Sequence, residues 1–287
     1  MQKRARLDPF LWSSFILITS QIFTLYVASQ EKHFVEAYQI APPQISLALP
    51  LVYFLGAVVL LGAILLLVPV DKLKIVFRII FMFLFIWGTF ITLGLSLPIL
   101  AASLISIAGG LMWLFSPRVW LHNLLMIFTL ASVGAVFGFL LSPWTAISFM
   151  LVISVYDVLA VRLGYMLWMV KRLSESETLP AFVIPKRISA WTLNLKEVGF
   201  KKLFEDESAE REFSILGGGD IGFPLMLVVS VFFVHGFTSS VVVAAFSLLG
   251  LVSAYWIQLF PLKGKPMPAL PPITFVSLIG FLIVYFT

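Results

Sequence analysis

Cysteine is absent from the 287-residue chain, which excludes disulfides, thiol nucleophiles and cysteine–zinc sites. Charge is scarce: 11% of residues are charged and 61% are hydrophobic, against about 25% and 45–50% in a typical soluble domain. So few charges cannot cover a water-facing surface, and lipid must be the main solvent around the fold. Histidine occurs three times, as His33, His122 and His235. None has a partner at metal-ligand spacing, so no metal is expected and each reads as an interfacial polar residue. The net charge of +5 is what basic cytoplasmic loops give a membrane protein, and it calls for no nucleic-acid partner.

Apolar runs of about 20 residues, the length of a membrane span, occur nine times. They lie near Phe10–Val27, Ile45–Val68, Ile75–Leu93, Leu97–Phe115, Leu121–Leu141, Trp144–Val170, Ser214–His235, Phe237–Phe260 and Pro268–Phe286. The expectation is an all-α polytopic membrane protein with nine transmembrane helices. Very short connections near Pro143 and Gly236 make their neighbours antiparallel. With the amino terminus cytoplasmic and the carboxyl terminus external, seventeen of the nineteen basic residues fall on the cytoplasmic face, as the positive-inside rule requires. Lys32 lies opposite and Arg162 within a span. A basic start followed by Val27-Ala28-Ser29 also admits a cleaved signal peptide, although the apolar stretch is long for one. The chain divides into an amino-terminal half (1–170), a cytoplasmic loop (171–213) and a carboxyl-terminal half (214–287). The acidic run Glu205-Asp206-Glu207 reads as a solvated part of that loop, on which no structure is forced.

Of fourteen acidic residues, twelve lie in tails, loops or span ends. Asp157 in the sixth span and Asp220 in the seventh do not. An ionised carboxylate in hydrocarbon costs at least about 2.5–3.5 kcal/mol, so intramembrane acids are functional candidates. Spans six and seven are antiparallel neighbours. Asp220, about seven residues into its span, lies roughly 10 Å deep at 1.5 Å per residue. Asp157 reaches a similar depth if the sixth helix ends near Arg162–Gly164 and Tyr165–Arg172 runs along the interface. Gly217, Gly218 and Gly219 disfavour helix and let water and a substrate backbone approach Asp220; they would also suit a helix-packing face. Tyr156 adjoins Asp157. The run Pro266-Met267-Pro268-Ala269-Leu270-Pro271-Pro272 reads as irregular backbone at membrane depth, tolerated only against protein or a water-filled cavity, or as a stiff entry to the last span.

Two carboxyls about 3 Å apart share one proton. The ionised partner takes a proton from water. The protonated one hydrogen-bonds a scissile carbonyl and then protonates the leaving amine. Neither a metal nor another cofactor is needed.

These residues resemble a known family. Tyr156-Asp157 and Gly217-Gly218-Gly219-Asp220 match the Tyr-Asp and Gly-x-Gly-Asp motifs of presenilins and signal peptide peptidases. Pro268-Ala269-Leu270 matches their Pro-Ala-Leu motif. Ile153-Ser154-Val155-Tyr156-Asp157 and Glu177-Thr178-Leu179-Pro180-Ala181 are more similar to presenilin. Asp220-Ile221 with Pro224 is more similar to signal peptide peptidase. The cytoplasmic amino terminus fits presenilin, and the short chain with its compact loop resembles archaeal homologues, which implies the cell membrane of a prokaryote. The resemblance implies an intramembrane aspartyl endopeptidase with Asp157 and Asp220 as its catalytic pair. Pro268, Ala269 and Leu270 would shape the substrate site. Transmembrane-helix proteins or signal-peptide remnants would be the substrates. Homo-oligomerisation and accessory subunits stay open.

The alternative is a proton- or ion-coupled transporter or channel, but neither inverted repeats nor a polar path is present. A prepilin peptidase would carry lysine soon after the aspartate, where this chain has Ile221-Gly222-Phe223. Aspartates as structural glue form the last rival. A substrate helix hides its scissile carbonyl in its own hydrogen bonds and must unwind. Phe213–Leu216 and Pro266–Leu270 are the segments suited to pair with the freed backbone.

Overall fold

The computed structural model describes residues 4–40, 45–175, 177–198, 212–262 and 267–287. The acidic run Glu205–Glu207, Pro266, Lys263 and Lys265 lie outside the described residues. The chain is mostly helical. In order come α1 (Arg4–Ala37), α2 (Ala48–Leu67), α3 (Val70–Gly94), α4 (Ile99–Phe115), α5 (Val119–Leu140), α6 (Pro143–Arg162) and α7 (Tyr165–Glu175). There follow β1 (Ala181–Pro185), a 3₁₀ turn (Ile188–Thr192), α8 (Leu195–Val198), β2 (Phe213–Gly217), α9 (Gly218–Leu259) and α10 (Leu270–Phe286). Among the described residues six helices are long and apolar enough to cross a membrane, and α4 and α10 are shorter apolar helices. The chain is thus an integral, multi-pass membrane protein.

Several expected boundaries move. The first helix runs ten residues past Val27, through a polar turn carrying the Lys32–Glu36 pair at 4.0 Å. The sixth stops at Arg162, and Gly164 takes φ 73° before α7 begins, which is the early end that Arg162 called for. Gly236, with φ 85°, is the non-helical residue inside α9, at the expected short connection. The largest departure is Ser214–Gly217, expected as the start of a helical span and found in β2, paired antiparallel with β1. The 171–213 loop, on which no structure was expected, supplies β1, the 3₁₀ turn and α8.

Two compact units interleave along the sequence. One comprises residues 1–13, 54–129 and 163–218. Here α7 lays Trp168, Met169 and Leu173 against Leu65, Leu73 and Phe77 of α2 and α3. The β hairpin packs Val183, Leu179 and Phe213 with Val119 and Leu195. Glu177, at the approach to β1, is ion-paired with Lys74 and with Arg78 (3.6 Å). Nearby, Lys196 donates to the carbonyl of Phe115 (3.1 Å) at the end of α4. Burial, and then the adjacent Arg78, hold the Lys196 ammonium below the ordinary lysine range, with Glu177 opposing.

The second unit comprises residues 14–53, 130–162 and 219–287. Gln21 of α1 donates to the carbonyl of Ala244 (3.0 Å) and to Ser247 Oγ (2.8 Å) in the second half of α9. Helix α5 runs parallel to the first half of α9, with Gly134 against Leu225 and Gly138 against Val229. A Cβ at Gly138 would lie 2.5 Å from that of Val229, so the small residue sets how closely these helices approach. Helix α10 lies antiparallel to α6. Trp144 meets Phe281 and Tyr285 at ring distances of 4.9 and 5.1 Å, and Ser154 Oγ lies 2.8 Å from Thr274 Oγ1.

Candidate active site

Asp157 sits one turn past Ser154 on α6 and is half-buried. The backbone N–H of Leu270 donates a hydrogen bond to its carboxyl. Leu270 is the first residue of α10, and the next two are Pro271 and Pro272. The opening N–H groups of a helix have no partner within it, and proline has none to offer. Of residues 270–272, only Leu270 can therefore donate, and it donates to Asp157. The proline-rich run thus does two things. It starts the last helix abruptly, with Met267–Ala269 non-helical, and it leaves one amide for the aspartate. Pro268 and Ala269 are half-buried, while Leu270 is 2% exposed.

Asp220 is the third residue of α9 and is also half-buried. It is in the first turn of its helix and not seven residues along it, because pairing with β1 keeps 213–217 extended and the glycines disfavour helix. Gly217 ends β2, and the N–H of Gly218 donates to the carbonyl of Pro180 (3.0 Å). A Cβ at Gly218 would stand 2.9 Å from that oxygen, so this strand-to-helix corner demands glycine. Both aspartates meet the amino-terminal end of a helix, where free N–H groups offer hydrogen bonds that lipid cannot.

Asp157 and Asp220 belong to the same compact unit. Their helices run antiparallel. Phe149 and Phe223 are in edge contact at 5.7 Å, and His235, like Trp144, packs on Phe281 and Tyr285. From the Phe149–Phe223 contact, Asp157 lies eight residues forward on α6 and Asp220 three residues back on α9. Both carboxyls are therefore displaced in the same direction along the helix axes, by roughly 12 and 5 Å at 1.5 Å per residue. An apolar groove of about 430 Å³ opens between α6 and α10, lined by Val158, Pro271, Thr274 and Phe275 among others. Tyr156 is half-buried, and as an adjacent helical residue it does not share Asp157's face.

Two contributors had no signal in the sequence. His122 is fully buried and hydrogen-bonded rather than interfacial, and its neighbour Asn123 is 2% exposed. Both bind β1. A lone histidine and a lone asparagine at the start of an apolar helix look like ordinary span-end residues until the strand they hold is known.

A helical, multi-pass membrane fold with one acid late in α6, bound by the first amide of α10, and another in the first turn of α9 defines the class of polytopic membrane proteins that carry carboxylates in their spans. Residues 14–287 match the family model described as signal-peptide peptidase, presenilin aspartyl protease. The chain belongs to that family and is an intramembrane aspartyl protease. Two solved structures of a presenilin family intramembrane aspartate protease, in C222 and P2 space groups, share its fold. One has a TM-score of 0.63 at 20% identity and covers 96% of this chain and 98% of its own. The other has a TM-score of 0.62 at 21% identity, with 96% and 97% covered. No curated protein matches significantly.

Proposed function

We propose that Asp157 and Asp220 are the catalytic pair of an endopeptidase that cuts peptide bonds within transmembrane segments. One observation carries the reading: in one compact unit Asp157 binds the amide at the start of α10 and Asp220 stands in the first turn of α9, each beside a family motif. The ionised partner takes a proton from water as it attacks the scissile carbonyl. The neutral partner hydrogen-bonds that carbonyl and then protonates the leaving amine. Leu270 orients Asp157 through its amide, Gly217 and Gly218 let the chain turn from β2 into α9, and the exposed Gly219 keeps the approach to Asp220 open. Tyr156, Pro268 and Ala269 border the site. The direct test is cleavage of a purified single-span substrate by wild type and by variants of either aspartate. The rate should follow a bell-shaped pH profile, because one carboxyl must be charged and the other neutral. A flat profile from acid to neutral pH, with the protein shown to stay folded, would count against a shared proton.

Substrates of this reading are transmembrane-helix proteins or signal-peptide remnants, opened locally into an extended strand. The β hairpin supports that step. Gly218 N–H binds Pro180, and Lys186 N–H binds the carbonyl of Glu212 at 3.0 Å. In an antiparallel pair the bonded residues alternate. The even-numbered residues of β2 therefore face β1, and Phe213, Ile215 and Gly217 turn their N–H and C=O groups outward. Among the described residues the sheet has two strands, so a substrate strand would add to this outer edge.

Nine spans are supported by the six long helices, the break at Gly236, and the 17-residue helices α4 and α10. The basic residues support a cytoplasmic amino terminus and a cytoplasmic 171–213 loop between halves 1–170 and 214–287, and the resemblance of the short chain to archaeal homologues supports residence in a prokaryotic cell membrane. Tags at the amino terminus and between residues 174 and 178 should be protected outside and reactive inside. A tag after Thr287 should show the reverse. Labelling of both termini from one side would refute nine spans.

A further inference from the structure

We infer that His122 and Asn123 are positioning residues: as a pair they stand in for a third strand on the closed edge of the hairpin and fix the register in which a substrate meets Asp220. The inference rests on the reading that substrate adds to the outer edge of β2. Asn123 Nδ2 donates to the carbonyl of Val183 (2.7 Å), and the N–H of Val183 donates to Asn123 Oδ1 (3.0 Å). One side chain thus makes the reciprocal pair of bonds that an adjacent strand residue would make. One residue earlier on α5, His122 Nε2 lies 2.9 Å from the carbonyl of Ala181. A carbonyl only accepts, so Nε2 carries the proton, and Nδ1 accepts from the indole N–H of Trp113 at 3.1 Å. Both ring nitrogens are used by one neutral tautomer.

Ala181 and Val183 are the residues of β1 whose polar groups point away from β2, as the alternation of the pair requires. Their edge is occupied, and among the described residues no strand pairs with the edge of β2. Because side chains alternate along a strand, a slip of β1 by one residue would turn these carbonyls toward β2 and strand the buried Asn123 amide. Helix α5 therefore pins β1, β1 sets β2, and β2 ends three residues before Asp220. An apolar pair at 122 and 123 could pack against the hairpin, but it would not select its register.

The test uses the full-length protein and one single-span substrate, with kcat, KM, product masses and Tm measured together. Asn123→Ala is expected to spread the cut over neighbouring bonds. It should lower kcat roughly tenfold or more, the scale of a small misplacement, with KM within about threefold. His122→Ala should act alike, and His122→Gln, which restores a donor toward Ala181, should recover a single cut. Thr92→Ala removes a comparable buried bond, to the carbonyl of Phe128 at 3.0 Å, and should lower Tm without moving the cut. Asn123→Leu keeps the approximate shape and loses both donor and acceptor, so it serves if the alanine variant does not fold. Wild-type cut positions and kcat in folded Asn123→Ala or Asn123→Leu would overturn the inference, as would an equal spread in Thr92→Ala. Failure of the wild type to cut any single-span substrate would instead overturn the underlying reading.

Discussion

Asp157→Asn and Asp220→Asn should each abolish cleavage, by at least the hundredfold or so that one general acid–base group contributes. The residual rate should be the same for both. Asparagine matches aspartate in shape and still accepts a hydrogen bond from Leu270, so insertion and folding should persist. Tm in detergent and protease resistance provide that check. The two losses should not multiply in the double variant, because a shared-proton pair acts as one unit. Transition-state mimics in which a hydroxyl replaces the attacking water should inhibit wild type. Substantial turnover by either purified, folded single variant would mean that the other carboxyl suffices, and the paired mechanism would fall.

Ile215→Pro should also damage cleavage while leaving the aspartates untouched. The N–H of Ile215 points away from β1, so proline there removes no bond of the hairpin. It takes a donor from the outer edge and sets a ring where an added strand would lie. Cleavage should fall at least about tenfold, the loss expected when one well-placed hydrogen bond to substrate disappears. Ile215→Ala, which trims the side chain and keeps the donor, should lose much less. Ser214→Pro provides the opposite control: its groups face β1, so the hairpin itself should be disrupted. On the substrate side, helix-stabilising residues around the cut should slow hydrolysis and helix-breaking ones should speed it. A wild-type rate in Ile215→Pro would rule out strand addition on β2.

The extent to which residues announced their structure followed the range of the forces acting on them. Arg162 was informative because a charge inside a lipid-facing helix is costly wherever the rest of the chain goes, and α6 ends there. Gly236 was informative because one residue with positive φ suffices to break a helix. Asp157 and Asp220 stood out against apolar surroundings for the same local reason. The strand at Phe213–Gly217 did not. Its apolar residues fit a span equally well, and the partner that makes it a strand is about thirty residues upstream, across a charged loop. The roles of His122 and Asn123 were harder still, since they depend on a strand that was itself unreadable. The acceptor of the Leu270 amide was hidden too: the prolines marked irregular backbone, but not that a single amide would be left facing Asp157.

That bond also has a chronology. Asp157 leaves the ribosome more than a hundred residues before Leu270, a delay on the order of 10 s at 5–20 residues per second. Throughout that interval Asp157 is part of the nascent chain without the amide that donates to it, because α10 is made only after all of α9. A nascent chain therefore carries both acids for some seconds before the helix start that binds Asp157 has been made.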